Sequence, residues 1–174
     1  MSEDIHMGLP LEIGQEVPNV DLPTLIDGKF ENLNTKEEFA GKRVILFSLP
    51  GAFTPTCSNN QLPGFEEKFA EFQEKGIDAI YCLSVNDSFV MSAWFELKGI
   101  VNVKPLADGN GEFTHKIGAE CKKSNVGFGY RSWRYAVVLN DGLVESVFIE
   151  EGFQDNIESD PYEASSPENV LSNL

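Results

Sequence analysis

The sequence is poor in basic residues and in histidine. Its 174 residues include 13 Lys and Arg against 28 Asp and Glu, which gives a formal net charge of -15, and only two His. This negative charge would repel both the phosphate backbone of nucleic acids and the anionic surface of a membrane. We therefore expect no nucleic acid and no membrane among the partners. Of the two histidines, His6 and His115, the second leaves a cysteine protease open as an alternative.

Cysteine is also scarce, and long apolar runs are absent. The three cysteines, Cys57, Cys82 and Cys121, form no CxxC motif and lack the spacing of metal ligands. We therefore expect no metal, no cofactor and no disulfide framework, and such unpaired thiols favour a reducing, cytoplasmic compartment. No apolar run approaches the ~18 residues of a membrane-spanning helix. The polar, acidic start at residues 1–5 is unlike a secretory signal.

The composition is that of a folded protein. Apolar residues make up 41% of the chain and include 13 Phe, so the acidity does not indicate disorder. A chain of this size buries roughly 70% of its unfolded surface when it folds. We expect a single domain over residues 1–174, with residues 1–14 as a loose arm. Residues 135–174 hold nine acids and no Lys or Arg, which is typical of a solvated face.

Hydrophobic periodicity and turn residues predict alternating strands and helices. The predicted strands are 44–49, 77–85, 103–106, 133–139 and 143–149. The predicted helices are 35–39, 54–75, 88–97 and one that starts at 166–167. Thr35 would open a capping box, Thr54 would cap the second helix, and Pro63 would kink or divide it. Asp141-Gly142 predicts a hairpin turn. This order indicates the α/β class, with a mixed central sheet and helices on both faces, as in a thioredoxin-like fold.

The segment Pro50-Gly-Ala-Phe-Thr-Pro-Thr-Cys57 is the strongest candidate for chemistry. It joins a predicted strand to a predicted helix, so Cys57 falls in the first helical turn, at a sheet edge where α/β folds bind ligands. Free thiols ionise near pH 8.5 and are only ~3% thiolate at pH 7, although the thiolate is the nucleophile. A helix N-terminus contributes up to ~2 kcal/mol, and the Thr54 hydroxyl and an arginine are candidates for the rest. The alternative is that Cys57 is an ordinary buried cysteine.

The other two cysteines have different surroundings. Cys82 lies within the apolar run 77–85, which favours packing in the core. Cys121 stands between Glu120 and Lys122, so we expect an exposed thiol on a polar loop. Such a thiol is either accidental or modestly acidified by its basic neighbours.

The pattern Pro50-x-x-x-Thr54-x-x-Cys57 resembles the active-site signature of the peroxiredoxins. The longer string SLPGAFTPTCS is similar to the peroxiredoxin-five, or type II, subfamily. The resemblance covers about residues 14–174 and is greatest to bacterial members that use glutathione and glutaredoxin, including the peroxiredoxin half of peroxiredoxin-glutaredoxin fusions. Further segments that resemble the subfamily are LSVND at 83–87, DGNGEFT at 108–114, GFG at 127–129 and RSWRY at 131–135.

The resemblance implies roles for four residues in the reduction of hydrogen peroxide and small organic hydroperoxides. Cys57 would be the peroxidatic cysteine, which attacks the O–O bond and becomes a sulfenic acid. Thr54 would orient the peroxide, Pro50 would shield the sulfur from water, and Arg134 would hold the thiolate and the developing oxyanion. Arg131 is the alternative arginine, with an orienting or surface role.

This chain differs from some members of the subfamily in its C-terminal segment. Some members carry a resolving cysteine in the C-terminal segment, and residues 160–167 contain none. We therefore expect a one-cysteine thiol peroxidase that is resolved by glutathione and glutaredoxin, in a homodimer to which Phe53 and Trp94 could contribute. A thioredoxin-dependent enzyme, resolution by Cys121 and a peroxide sensor with little turnover stay open as alternatives. Asn60 stands where a CxxC would place its second cysteine, which argues against a disulfide reductase.

Overall fold

The computed structural model describes residues 11–174, and a five-stranded mixed sheet lies at its centre. The strands are Asp21–Ile26 (β1), Lys29–Asn34 (β2), Arg43–Ser48 (β3), Ala79–Ser84 (β4), Lys104–Ala107 (β5), Glu120–Lys122 (β6), Tyr130–Ser132 (β7), Tyr135–Asn140 (β8) and Leu143–Ile149 (β9). The central sheet has the order β5-β4-β3-β8-β9, in which β3, β4 and β5 are parallel and β8 and β9 are antiparallel additions. The other strands form two antiparallel pairs, β1 with β2 and β6 with β7.

Helices cover both faces of this sheet. They are Thr35–Phe39 (α1), Leu62–Glu67 (α2), Phe69–Glu74 (α3), Ser88–Leu97 (α4), Glu112–Lys116 (α5) and Pro167–Ser172 (α6). Side chains of α1 and α5 pack in one core cluster, and those of α2, α3, α4 and α6 pack in the other. Within residues 11–174, no helix is long and apolar enough to cross a membrane.

The central strand β3 separates the two cores. Val44 and Leu46 point into one cluster, Ile45 and Phe47 point into the other, and all four are fully buried. Successive side chains of a strand face opposite sides, so a strand covered on both faces reads as a continuous apolar run. The predicted mixed sheet with helices on both faces, a thioredoxin-like fold, is confirmed.

The first helix is capped by a different residue from the predicted one. Asn34 is the N-cap, and its side-chain oxygen accepts the Glu37 amide at 3.0 Å. Thr35 is the first helical residue, and its hydroxyl donates to the Pro18 carbonyl at 2.7 Å and accepts the Val20 amide at 2.9 Å. The prediction of Thr35 as the cap is wrong, because its hydroxyl fastens the preceding segment to the helix.

Thr54 is not a side-chain cap either. Its hydroxyl donates to the Gly51 carbonyl at 2.7 Å, across the turn that follows β3. Helical structure begins at Pro55, as predicted, and the Thr54 carbonyl accepts the Ser58 amide at 2.9 Å. Thr54 therefore closes the turn before the helix, and only its backbone takes part in the first helical hydrogen bond.

The helix that carries Cys57 has its irregular turn before Pro63, whereas the sequence predicted a kink or division at Pro63 itself. Cys57–Gln61 form one turn of π-helix, in which the Leu62 amide donates to the carbonyl five residues earlier. The chain then runs helically through Pro63 and is divided at Lys68, between α2 and α3. The predicted division therefore exists but lies five residues later. Single π turns are frequent at functional sites.

The hairpin predicted at the end of the sheet is confirmed, and a second one was not predicted. Asp141 and Gly142 both have positive φ, 53° and 77°, as the tight turn between β8 and β9 requires. Asp27 and Gly28 repeat this geometry, with φ of 50° and 80°, between β1 and β2.

The predicted loose arm is only partly open to comparison, because residues 1–10 lie outside the described residues. In the described part, the side chain of Leu11 is buried in a core cluster. The Gly14 amide donates to the Val144 carbonyl at 2.7 Å, next to β9. Leu11 and Gly14 are therefore attached to the fold, whereas Ile13 between them is 74% exposed.

Candidate active site

The candidate site lies at one end of the inner strands of the central sheet, where β3 ends and β8 begins. The two strands are antiparallel neighbours, with Ser48 paired to Tyr135. The segment 50–57 follows β3, and Arg134 immediately precedes β8. This strand pairing brings Cys57 and Arg134 together, although they are 77 positions apart in the chain.

The sulfur of Cys57 is enclosed and lies beside a positive charge. The side chain has 0% exposure, and Nη1 of Arg134 lies 3.4 Å from Sγ. Burial alone lowers the pKa of Arg134, but the charges of Cys57 and Asp160 outweigh it, so that the pKa is raised. The guanidinium therefore stays protonated and can stabilise an anionic sulfur.

Arg134 is held by a full set of acceptors besides the sulfur. Nη1 also donates to the side-chain oxygen of Gln61 at 2.6 Å, Nη2 donates to Asp160 at 2.6 Å, and Nε donates to the Pro161 carbonyl at 3.2 Å. The guanidinium carbon lies 5.7 Å from the centre of the Tyr162 ring. These contacts fix the plane of the guanidinium and leave it no freedom to turn away from the sulfur.

Asp160 is the carboxylate partner of this arginine. Burial raises the pKa of Asp160, but the charge and hydrogen bond of Arg134 outweigh burial, and the Thr56 hydroxyl adds to them. The pKa of Asp160 therefore lies below its usual range, and the carboxylate is ionised at neutral pH.

A buried carboxylate organises the segment that follows Asp160. Glu150 is 3% exposed and accepts the amides of Glu163 at 2.9 Å, Ala164 at 3.2 Å and Ser165 at 2.8 Å. It also accepts the Ser165 hydroxyl at 2.5 Å. The prediction that residues 135–174 form a solvated face is wrong at Glu150, because this carboxylate is satisfied by a cradle of donors.

Gln61 connects this cradle to the arginine. Its side-chain nitrogen donates to the Ser165 carbonyl at 3.4 Å and lies 3.3 Å from the Ser165 hydroxyl, while its oxygen accepts from Arg134. Gln61, Ser165 and Arg134 are all buried. The result is a continuous polar chain from Glu150 to the sulfur of Cys57, of which the sequence predicted only the last two members.

A cleft of about 380 Å³ opens onto the site. Its lining residues are Pro50, Thr54, Pro55, Thr56, Lys123, Val126, Phe128, Arg134, Ile157, Glu158, Ser159 and Asp160. Three of the four predicted site residues are thus brought to one cleft. Arg134 both lines the cleft and contacts Cys57, so the sulfur lies directly behind the cleft wall.

Arg131 supports the wall of the cleft. Its Nη1 donates to the Pro50 carbonyl at 3.0 Å and its Nε donates to the Phe128 carbonyl at 3.2 Å. Burial lowers the pKa of Arg131, and the charge of Cys57 opposes this effect. Arg131 therefore positions Pro50, whereas Arg134 makes the hydrogen bond to the sulfur.

Cys82 is buried on β4, in the same core cluster as Cys57. Burial raises the pKa of the Cys82 thiol well above its ordinary value, and the charge of Cys57 raises it further. The prediction that Cys82 packs in the core is confirmed, and its core cluster is the one that also contains Cys57.

Cys121 is also buried, against the sequence-based expectation. It lies in β6, between the outward-facing Glu120 and Lys122, and packs in the core cluster on the other face of the sheet from Cys57. Burial raises the pKa of the Cys121 thiol to about 11. The expected exposed, acidified thiol is therefore wrong, because strand alternation turns this side chain inward.

The two aromatic residues suggested for a dimer interface differ sharply. Trp94 is fully buried, and its indole nitrogen donates to the Ser58 hydroxyl at 2.9 Å. Its assignment to an interface is wrong, because it belongs to the chain's own core. Phe53 is 51% exposed and has a φ of 67°, in the left-handed region that bulky residues rarely adopt.

Of the two histidines, only His115 lies within the described residues, and it is not placed to act on Cys57. His6 lies outside the described residues, and the imidazole of His115 interacts with Glu120 at 3.3 Å, on the other face of the sheet. Within residues 11–174, no three His, Cys, Asp or Glu side chains cluster in a way that would hold a metal ion.

Comparisons with known proteins identify the family. The sequence model of the Redoxin family matches residues 12–164. The chain is 60% identical over 146 residues to peroxiredoxin y4vD of Sinorhizobium fredii, which covers 84% of this chain and 78% of that protein. The chain belongs to the peroxiredoxin family.

A further sequence relative and a solved structure are also similar to this peroxiredoxin. The hybrid peroxiredoxin hyPrx5 of Haemophilus influenzae is 44% identical over 161 residues, which cover 92% of this chain and 65% of that protein. The solved structure of the Plasmodium falciparum antioxidant protein, a 1-Cys peroxiredoxin, has a TM-score of 0.89 at 36% identity and covers 94% of this chain and 100% of that one. The predicted family is confirmed, and the peroxiredoxin is a thiol peroxidase.

Proposed function

We propose that this peroxiredoxin reduces hydrogen peroxide and small organic hydroperoxides at Cys57, and that glutathione and glutaredoxin return the oxidised cysteine to the thiol. The observation that carries the proposal is the 3.4 Å contact between Nη1 of Arg134 and a sulfur with 0% exposure. A permanent positive charge inside an enclosed site favours the anionic form of sulfur that attacks peroxides.

In the proposed oxidation step, the Cys57 thiolate attacks the terminal oxygen of the peroxide. The S–O bond forms as the O–O bond breaks, so the sulfur is oxidised to a sulfenic acid and the peroxide is reduced. The leaving oxygen departs as alkoxide or hydroxide and takes up a proton to become an alcohol or water. This in-line displacement needs an aligned substrate and donors to the leaving oxygen.

The cleft supplies residues for these needs. Thr54 lines it, and we assign its hydroxyl to the orientation of the bound peroxide. Pro50 is buried and shields the sulfur from water. Arg134 lines the cleft and contacts the sulfur, so its guanidinium is placed to stabilise both the thiolate and the developing oxyanion.

In the proposed resolution step, the thiolate of glutathione attacks the sulfenic sulfur of Cys57. An S–S bond forms, the S–O bond breaks, and the leaving hydroxide takes up the proton that the thiol released on ionisation and becomes water. Glutaredoxin then takes the glutathionyl group by thiol-disulfide exchange, which frees Cys57. The match to a hybrid peroxiredoxin supports this reductant, because the resemblance to the family includes peroxiredoxin-glutaredoxin fusions.

The positions of the other thiols favour an external reductant over an internal one. Cys121 packs on the opposite face of the sheet from Cys57, so a bridge between them would require the core to open. Cys82 lies on the same face, but its thiol is fully buried in the sheet. A small thiol that enters the 380 Å³ cleft needs only the wall in front of Cys57 to open, since this sulfur is itself fully buried.

We further propose a homodimer in a reducing, cytoplasmic compartment. Phe53 supports an interface near the site, because its ring is half-exposed and aromatic residues are enriched in protein–protein interfaces. The three thiols without a CxxC support the compartment. Sedimentation of the full chain tests the dimer, and a monomer at micromolar concentration would exclude it.

Stopped-flow fluorescence with hydrogen peroxide tests the peroxidatic role of Cys57. The Cys57→Ser variant should lose the rapid oxidation phase, while Cys121→Ala should keep it. Equal rates for the wild type and Cys57→Ser would refute the proposal.

Mass spectrometry of peroxide-treated protein with limiting glutathione tests the resolution step. We expect a glutathione adduct on Cys57. A bridge from Cys57 to Cys82 or Cys121 would instead indicate a two-cysteine enzyme. Turnover with thioredoxin but not with glutathione and glutaredoxin would replace the proposed reductant, and fast oxidation without turnover would indicate a sensor.

A further inference from the structure

The active-site cleft contains a second buried cation, Lys123. This side chain is 7% exposed and lines the cleft together with Thr54 and Arg134. Its ammonium lies 5.9 Å from the centre of the Trp133 ring. Within residues 11–174, no carboxylate forms an ion pair with it and its nitrogen makes no hydrogen bond. The nitrogen is not among the described side-chain atoms that are both buried and unpartnered, so it is open to the solvent of the cleft, where an anion from outside the chain can pair with it.

Lys123 is held in place by its backbone and by a fixed aromatic ring. Its amide donates to the Gly129 carbonyl at 2.7 Å, and its carbonyl accepts the Phe128 amide at 3.0 Å. The indole nitrogen of Trp133 donates to the Glu150 carbonyl at 2.8 Å, which fixes the ring under the ammonium. The backbone of Lys123 and the ring beside its ammonium are therefore in place before any ligand binds, which lowers the cost of binding.

The other charges of the cleft leave Lys123 available. Arg134 is paired with Asp160 at 2.6 Å, so this cation already has its carboxylate. Although burial raises the pKa of Asp160, the charges of Arg134 and Lys123 both lower it, which places Lys123 within electrostatic reach of the pair. Glu158 also lines the cleft, but it is exposed and screened by water. Among the described cleft residues, Lys123 is the cation without a paired carboxylate.

We propose that Lys123 binds the carboxylate of the thiol reductant that enters this cleft. The inference rests on the proposed function and names the class of co-substrate: a small thiol that carries a carboxylate. Hydrogen peroxide is neutral and gives this ammonium no charged partner, whereas such a thiol does. Its sulfur attacks the sulfenic sulfur of Cys57, water leaves with the thiol proton, and the carboxylate rests on Lys123. The apolar part of the reductant lies against the apolar lining residues Val126, Phe128 and Ile157.

A single-turnover experiment tests this assignment. The Cys57 sulfenic acid is formed with one equivalent of hydrogen peroxide and is then mixed with glutathione, which has two carboxylates, or with 2-mercaptoethanol, which has none. For Lys123→Met, the ratio of the glutathione rate constant to the 2-mercaptoethanol rate constant should fall roughly tenfold, as expected for a lost charge-assisted contact. Lys123→Arg should restore most of the ratio.

Lys122→Met is the matched control, because Lys122 is the exposed neighbour and is not part of the cleft lining. It should keep the wild-type ratio. Lys123→Gln, which removes the charge but keeps a polar side chain, should show the same fall and decides the question if Lys123→Met fails to fold. An unchanged ratio in either variant would overturn the inference.

Oxidation by two different hydroperoxides tests whether the carboxylate that binds Lys123 belongs to the oxidant instead of the thiol reductant. If Lys123→Met slows oxidation by a carboxylate-bearing hydroperoxide but not by tert-butyl hydroperoxide, and leaves the thiol ratio intact, the carboxylate belongs to the oxidant and the assignment to the reductant is wrong. Absence of any sulfenic acid on Cys57 would instead refute the proposed function itself, so the two failures are distinguishable.

Discussion

Nη1 of Arg134 divides its two hydrogens between the sulfur of Cys57, at 3.4 Å, and the side-chain oxygen of Gln61, at 2.6 Å. The remaining nitrogens of the guanidinium are taken by Asp160 and Pro161. Only a planar group with several fixed donors can contact the sulfur and three oxygen acceptors at once. The contact with the sulfur therefore depends on the shape of arginine as much as on its charge.

Replacement of Arg134 by lysine tests this dependence. Arg134→Lys keeps a positive charge but cannot reach all four acceptors, so the rate constant for oxidation by hydrogen peroxide should fall about 10²- to 10³-fold. Stopped-flow fluorescence measures it. Arg131→Lys is the matched control, because Arg131 supports Pro50 and does not bond the sulfur, and its loss should stay below about tenfold. Equal losses in the two variants would contradict the special position of Arg134.

Replacement of Glu150 by glutamine should destabilise the fold. One carboxylate oxygen becomes an NH₂ group that faces only donors, so Glu150→Gln should cost about 2 kcal/mol. Thermal unfolding should then begin roughly 4–8 °C lower for a chain of this size. Glu151→Gln, at the exposed neighbouring position, should leave the midpoint unchanged. If the two variants unfold together, the buried cradle does not stabilise the protein.

Gly64 is required by the close approach of α2 and α6. A Cβ at this position would lie 2.7 Å from Cγ of Pro167, which belongs to a rigid ring. Alanine gains about 1 kcal/mol over glycine in a helix, whereas overpacking costs about 1–3 kcal/mol. Gly64→Ala should therefore lower the free energy of unfolding by about 1 kcal/mol in urea titrations. In a Pro167→Ala background the same change should become stabilising, and a loss of equal size there would exclude the steric explanation.

Asp160 should contribute stability that disappears in acid. Burial raises its pKa, but Arg134 lowers it more, so the folded-state pKa lies below the unfolded value of about 3.9. The contribution is present above that pH and is lost as the pH falls through the folded-state pKa. It should stay below about 1 kcal/mol, because the carboxylate is 47% exposed.

Urea unfolding of Asp160→Asn as a function of pH measures this contribution. The difference from the wild type should be constant from pH 8 to about 5 and should shrink below about pH 4. A difference that grows on acidification would mean that the Arg134 pairing is not its source.

The local part of the candidate site could be read from the sequence, whereas of the long-range part only Arg134 was predicted, and that prediction came from the family resemblance. Cys57, Thr54 and Pro50 lie within eight consecutive residues, so their spacing carries information. Gln61 and Glu150 became visible only through contacts with the segment around Ser165, which lies 104 positions after Gln61. A neutral amide in a helix and one glutamate among many acids carry no signal of burial.

The fold was predictable where periodicity was strong. The β1 to β2 hairpin was missed although Asp27-Gly28 repeats the turn signal of Asp141-Gly142, because its strands are largely exposed and mostly lack an apolar run. Cys121 was misplaced for a related reason. Its charged neighbours suggested a loop, whereas charged, apolar, charged is also the alternation of a three-residue strand with one inward side chain.

The split of the site between the end of β3 and the start of β8 has a consequence for biosynthesis. A nascent chain carries the complete Pro50 to Cys57 motif long before Arg134 has been translated, so its sulfur has no guanidinium beside it. Pairing of β8 with β3 is the event that joins the two halves. With the roles proposed for Cys57 and Arg134, we expect peroxide reactivity to be acquired late, when the ribosome has delivered the second half of the protein.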